Sequence, residues 1–155
     1  MRDDAAPRRG ATLLELVAAV TLMGIFAAVA ASRSDGFFAD ATVRTHAGTV
    51  AGLLHAAKRR AIMTGTDSGL RFVKSGGRIT AVVPVEQSGA ALIDTDAPIP
   101  TPGGIDVTCA QSELLFDFEG HASTPGASID FVGEDRRWRI DLTPASSSIR
   151  VAAAP

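Results

Sequence analysis

The sequence predicts an α+β chain: a long N-terminal helix, its first half apolar enough for a membrane, packed on a C-terminal antiparallel domain of two sheets. Three observations predict it. From Ala11 to Ala31 the one charged residue is Glu15, over a length close to the ~20 residues a helix needs to cross a bilayer's hydrocarbon. Between Val43 and Ala61 apolar residues recur at spacings of three and four, the stripe of an amphipathic helix. Beyond Ser68 the period falls to two, with glycine and proline between the runs, which is the signal of strands and turns.

In order, residues 1–10 are a short leader containing Arg2, Arg8 and Arg9, and residues 11–31 are the transmembrane half of the helix. Residues 32–64 carry the helix on past Ser32-Arg33-Ser34-Asp35-Gly36. Val43, Ala47, Val50, Leu54, Ala57 and Ala61 form the buried stripe, Arg44, His46, Lys58, Arg59 and Arg60 the opposite face, and Thr64-Gly65-Thr66 the stop. Residues 65–155 form the β-rich head. Leu70–Val73 and Arg78–Val83 flank a glycine turn and predict a hairpin. Pro84 to Gly104 reads as a long loop with a short strand at Ala90–Ile93. Further strands are predicted at Ile105–Cys109, Leu114–Phe118, Ser128–Val132, Trp138–Leu142 and Ser148–Val151. Antiparallel strands alternating apolar and polar residues pack one face on a core, here the second half of the helix.

Length and composition set outer bounds. Of 155 residues, those after the apolar run suffice for one compact domain and not two. A net charge of −2 supplies no general attraction to nucleic acid or anionic lipid. A single cysteine, Cys109, excludes an internally disulfide-stapled scaffold, and is expected to be buried.

The N-terminal segment admits three readings. A secretory signal would use Ala28-Val29-Ala30 as its cleavage site, but the apolar run is too long and holds an acid. A plain signal anchor, oriented by Arg8 and Arg9, leaves Glu15 unexplained, although an acid at membrane depth costs about 3 kcal/mol and is by default functional. In the third, the basic leader, Gly10, the apolar run and a glutamate fifth after the glycine together resemble the type IV prepilin signal. That resemblance implies cleavage between Gly10 and Ala11 by a prepilin peptidase, methylation of the new terminus, and a role for Glu15 in assembly. Two departures from the family are Ala11, where Phe or Met is usual, and Ser32, where major pilins carry Pro.

A narrower resemblance follows from Leu53-Leu54-His55-Ala56-Ala57-Lys58-Arg59-Arg60-Ala61-Ile62-Met63-Thr64-Gly65, and from Leu115-Phe116-Asp117-Phe118-Glu119-Gly120-His121-Ala122 followed by Ile129-Asp130-Phe131. These are similar to the helix end and late hairpin of GspH/FimT-type pseudopilins. The family's closing glycine-rich turn is here Pro144-Ala145-Ser146-Ser147. The resemblance implies a pilin-like fold and a minor pseudopilin of the type II secretion system, held in the inner membrane by a single pass with a periplasmic C-terminal domain. Its partners would be the other major and minor pseudopilins, the prepilin peptidase, the inner-membrane assembly platform, membrane lipid and exported substrates. The alternative is a FimT-like minor type IV pilin acting in pilus assembly or DNA uptake.

Enzymatic chemistry is not expected. His46, His55 and His121 have no Cys or second His within three to five residues, so zinc spacing is absent. Asp94 and Asp96 lack a twelve-residue calcium loop. Ser123 and Ser128 sit on no nucleophile elbow, and no phosphate loop or dinucleotide fingerprint occurs. No cofactor or metal is expected. The most concentrated charge is Arg136-Arg137-Trp138-Arg139. On an exposed strand its arginines would contact phosphate and Trp138 would offer a stacking face. Alternation instead turns Trp138, Ile140 and Leu142 inward, leaving Arg137, Arg139 and Asp141 as a solvated face, and DNA is not the expected partner.

Overall fold

The computed structural model describes residues 12–134, 136–143 and 146–154. The chain divides into two compact units, Met1–Gly36 and Phe37–Pro155, and helix α1, Leu13–Thr64, contributes to both.

In the first unit the helix presents apolar side chains on every side. Leu13, Leu14, Leu16, Val17, Val20, Leu22, Met23, Ile25, Phe26 and Val29 are all exposed. A helix apolar all round is normally covered by protein or lipid. Among the described residues, no helix is long and apolar enough to cross a membrane; the span expected from the sequence starts at Ala11, outside them.

In the second unit the predicted stripe is the core. Val43, Ala47, Val50, Leu54, Ala57 and Ala61 are buried with Ala51 beside them, and they join Leu70, Phe72, Leu114, Phe116, Ile129, Phe131, Ile140 and Leu142 in one cluster. His46 departs from the expectation. It is buried rather than on the polar face, with its ring edge-on to Phe131 at 5.8 Å. The helix ends where expected: Gly65 adopts φ 70° and its N–H donates to the Ala61 carbonyl at 2.9 Å, a left-handed C-cap. Thr66 then donates to Glu86 Oε1 at 2.9 Å, and Arg60 meets the other oxygen of Glu86 at 3.3 Å, fastening the helix end to the second strand.

Nine strands are described: β1 Ser68–Ser75, β2 Arg78–Ser88, β3 Ala91–Asp94, β4 Ile99–Pro100, β5 Asp106–Cys109, β6 Glu113–Phe116, β7 Ser128–Val132, β8 Arg137–Leu142 and β9 Ile149–Ala154. One sheet runs β3-β2-β1-β6 with β4 also on β2, the other β5-β7-β8-β9, and the described pairings are antiparallel. Gly76 and Gly77 close the β1–β2 hairpin at φ 60° and 82°, as a tight turn between right-twisted strands requires. Gly69 has a different reason: a side chain there would run into the Leu114 backbone of β6.

Several boundaries differ from the sequence reading: β4 lies within the predicted loop, β9 runs on to Ala154, and two others have a local cause. Pro84 lies inside β2, opposite Leu70. It falls between the residues pairing with β4, Ala81 and Val82, and those pairing with β3, which begin at Val85, so its missing N–H leaves no gap in either ladder. The strand predicted to reach Phe118 stops at Phe116. Asp117 Oδ1 accepts from the Glu119 N–H at 3.0 Å and the His121 N–H at 2.8 Å, and this side-chain turn leaves Phe118 exposed. Cys109 is buried as expected, and burial pushes its thiol pKa up.

Leu54 is fully buried at the helix–sheet contact, whereas Met63 is 84 % exposed. Leu54→Ala is expected to destabilise the fold by about 2–5 kcal/mol. Met63→Ala is expected to stay within about 0.5 kcal/mol of the parent. Denaturant titration of the two variants checks the pair.

Candidate functional site

Glu15 has a local partner that the sequence reading overlooked. The Thr12 N–H donates to Glu15 Oε2 at 2.9 Å, Thr12 Oγ1 donates to the same oxygen at 3.3 Å, and the Glu15 N–H donates back to Thr12 Oγ1 at 3.3 Å. This is a capping box, Thr at the N-cap and Glu three residues on, with the carboxylate at the positive end of the helix dipole. The signal was present as Thr12-Leu13-Leu14-Glu15 immediately before an apolar run. Gly10 and Ala11, the expected processing site, lie outside the described residues.

The basic cluster is divided by its strand. Arg139 Nε donates to Asp130 Oδ1 across the β7–β8 ladder at 2.8 Å, and this bond raises the arginine's pKa above its ordinary value. Trp138 donates its indole N–H to Asp40 on the helix at 3.2 Å. The Arg44 guanidinium sits 5.6 Å from the Trp138 ring centroid, within cation–π range. The indole is thus engaged from the helix, while Arg136 and Arg137 remain exposed. Ile140 and Leu142 face the core and Asp141 faces solvent, as strand alternation requires.

Of the two calcium candidates, Asp94 and Asp96, Asp94 has structural work: Arg71 on β1 reaches it on β3 at 2.9 Å and Glu113 on β6 at 3.1 Å. Zinc-type Cys/His spacing does not mark a second group, which joins a histidine to two carboxylates. His121 Nδ1 lies 3.2 Å from Glu119 Oε2 and 3.7 Å from Asp117 Oδ2, and the three residues together could ligate a metal ion. The cluster sits on a turn with His121 and Glu119 exposed, and one Asp117 oxygen already accepts two backbone N–H groups.

A groove of about 530 Å³ runs beside the helix, lined by Ala41, Thr42, Thr45, His46, Thr49, Ile99, Pro100 and Pro102. His46 is 6 % exposed, and among the described residues its Nε2 has no hydrogen-bond partner. Burial pushes its pKa down.

The fold defines a class: a long N-terminal helix whose second half carries two antiparallel sheets, as in pilin-like proteins. No family model matches the chain, and no curated protein sequence does. Among solved structures the chain is similar to the minor pseudopilin EpsH from the type 2 secretion system of Vibrio cholerae, at TM-score 0.60 and 14 % identity, covering 72 % of this chain and 96 % of that one. It is also similar to the type IV minor pilin FimU of Pseudomonas aeruginosa, at TM-score 0.56 and 12 % identity, covering 72 % and 92 %. The chain therefore has the fold that minor pseudopilins and minor pilins share.

His46 supplies a pH test. Its folded pKa lies below the ordinary value of 6.5, so between the two values the unfolded chain binds more protons than the folded one. The neutral form's contribution is complete above pH 6.5 and falls as pH drops below it. Denaturant midpoints at pH 7.5 and 5.5 are expected to show this loss in the parent, with a smaller loss in His46→Leu.

Proposed function

We propose that the chain is a minor pseudopilin of the type II secretion system, a non-enzymatic subunit of a short periplasmic fibre. The observation that carries the reading is one chain combining a minor-pseudopilin fold with an N-terminal sequence of prepilin type, Arg8-Arg9-Gly10 followed by apolar residues and Glu15. In this reading a prepilin peptidase cuts between Gly10 and Ala11 and methylates the new terminus, and residues 11–31 anchor the subunit in the inner membrane. The all-round apolar exposure of the helix from Leu13 to Val29 supports an anchor, since such a surface is stable when covered by lipid. Assembly follows as membrane helices of successive major and minor subunits pack on the inner-membrane platform. A head-to-tail contact that does not close on itself builds a filament, whose surface then meets exported substrates.

Glu15 is the residue proposed to set the register. Cleavage leaves an amine on Ala11, and a carboxylate nearby in an apolar setting is stabilised by meeting a positive charge. On the family resemblance, that charge would belong to a neighbouring subunit. Because Glu15 also caps its own helix, Glu15→Gln separates the two roles: glutamine keeps the capping bond and loses the charge. Mass spectrometry of membrane-extracted protein is expected to find Ala11 as the terminus in the parent, Glu15→Ala and Glu15→Gln. Crosslinking to the other fibre subunits is expected to be lost in both variants. A terminus at Ala31 or Ser32 would sink the pilin reading, and normal incorporation of Glu15→Gln would reduce Glu15 to a cap.

A second reading is a FimT-like minor type IV pilin that contacts DNA. It is favoured by the comparable likeness to FimU and the exposure of Arg136 and Arg137. The Asp130 partner of Arg139 and the engaged Trp138 argue against a phosphate-reading, base-stacking surface. The chain is expected not to bind duplex DNA at low salt. Salt-dependent binding lost in Arg136→Ala/Arg137→Ala would support this second reading instead.

A further inference from the structure

The sheet edges of the second unit are not equally protected. β3, β5 and β6 are each four residues long. Each has a carbonyl already taken: Leu92 by the Arg71 guanidinium at 3.3 Å, Cys109 by the Lys74 ammonium at 2.8 Å, and Leu115 by the Ser123 N–H at 2.8 Å. β9 is six residues long and pairs with β8 in an unbroken register from Ile149 to Ala154. Among the described residues, no strand lies on its other side. It has no bulge, proline or lysine and one charge, Arg150, so the usual devices that blunt an edge are missing.

Its side chains leave room for a neighbour. Val151 pairs with Ile140, which is fully buried, yet Val151 is itself 40 % exposed. Ala153, opposite Trp138, is exposed on the same side. The core-facing row of the edge is therefore apolar, packed against the core at Ile149 and uncovered at Val151 and Ala153. On the other face the register sets Arg150 opposite Asp141 and Ala154 opposite the exposed Arg137.

Charge decides what fits. Two copies pairing antiparallel about Ala152 would set one Arg150 across from the second copy's Ala154. That residue's own ladder partner is Arg137, so two exposed guanidinium groups would share a face about two strand spacings apart, roughly 10 Å. Like charges at that separation disfavour self-pairing. A peptide carboxylate across from Arg150 would instead be attracted by it, and a second one across from Ala154 by Arg137, two strand spacings away.

We propose that β9 is a docking edge for an extended segment of another protein, one in which apolar residues alternate with acidic ones. The backbone ladder would supply affinity, while the apolar row against Ile149 and Val151 and the acidic row beside Arg137 and Arg150 would supply direction and selectivity. The inference rests on the strand edge and its charges, and holds whichever fibre the chain serves.

Hydrogen exchange of the full chain in detergent micelles tests it, with two capped hexapeptide probes of alternating Val/Glu and Val/Lys. The Val/Glu peptide is expected to slow exchange over residues 149–154 by about tenfold or more, while the Val/Lys peptide leaves it unchanged. Val151→Lys, which puts a charge into the apolar row, is expected to abolish protection of β9 while β7 stays as protected as in the parent. Arg150→Glu is expected to shift preference toward the Val/Lys peptide. Protection by neither peptide, equal protection by both, or undiminished protection in a folded Val151→Lys variant would overturn the proposal. So would concentration-dependent self-association that protects β9 without peptide, which would make a second copy the occupant.

Discussion

The second unit depends on one seam, the row Ala47, Val50, Leu54, Ala57 and Ala61 along the helix, which both sheets share as their floor. Three of its five members are alanine, whose small side chains let a neighbouring strand come close, while Leu54 and Val50 are fully buried in the same core as Phe72, Phe116 and Phe131. Packing at native density tolerates little change in volume. The seam and the inner faces of both sheets form one cluster, so the helix helps order the sheets alongside their own ladders.

The polar contacts around this seam sit where a β domain is easiest to loosen. Arg60, Thr66 and Glu86 join the helix end to β2. Lys58 reaches the Ser146 and Ser147 carbonyls at 3.3 and 3.1 Å, and the Ser147 hydroxyl accepts the Ala122 N–H at 2.8 Å. The helix, the turn after β6 and the approach to β9 are thereby linked. Most of these groups are partly exposed, and such ion pairs contribute little energy individually; their effect is to fix which loop lies where.

The α+β class and the helical stripe were legible because period and residue type agreed over long stretches. Gly65 as the helix stop, Ser128–Val132 as a strand and the inward turn of Ile140 and Leu142 followed from the same agreement. Legibility failed where a side chain overrode the pattern. Asp117 ends β6 by accepting backbone N–H groups that a strand would have used otherwise. Pro84 escapes its strand-breaking role through a gap between two partners that no local signal marks. His46 lies between stripe positions Val43 and Ala47, and its burial depends on Phe131, far away in sequence. For the candidate sites, Asp130 as the partner of Arg139 is a matter of ladder register, whereas the Thr12–Glu15 cap was written locally and missed because the acid was weighed only against the membrane.

That cap bears on what the proposed cut after Gly10 would do to the helix. An exposed helix start ordinarily frays when residues preceding it are removed, because lost neighbours had been satisfying its first N–H groups. Here the groups that close the start, the Thr12 hydroxyl and the Glu15 carboxylate, both belong to the stretch that follows Gly10. Severing the backbone ahead of Thr12 takes neither of them away. The helix carries its own beginning with it, so shortening the chain there changes its charge and its terminus without unwinding the first turn.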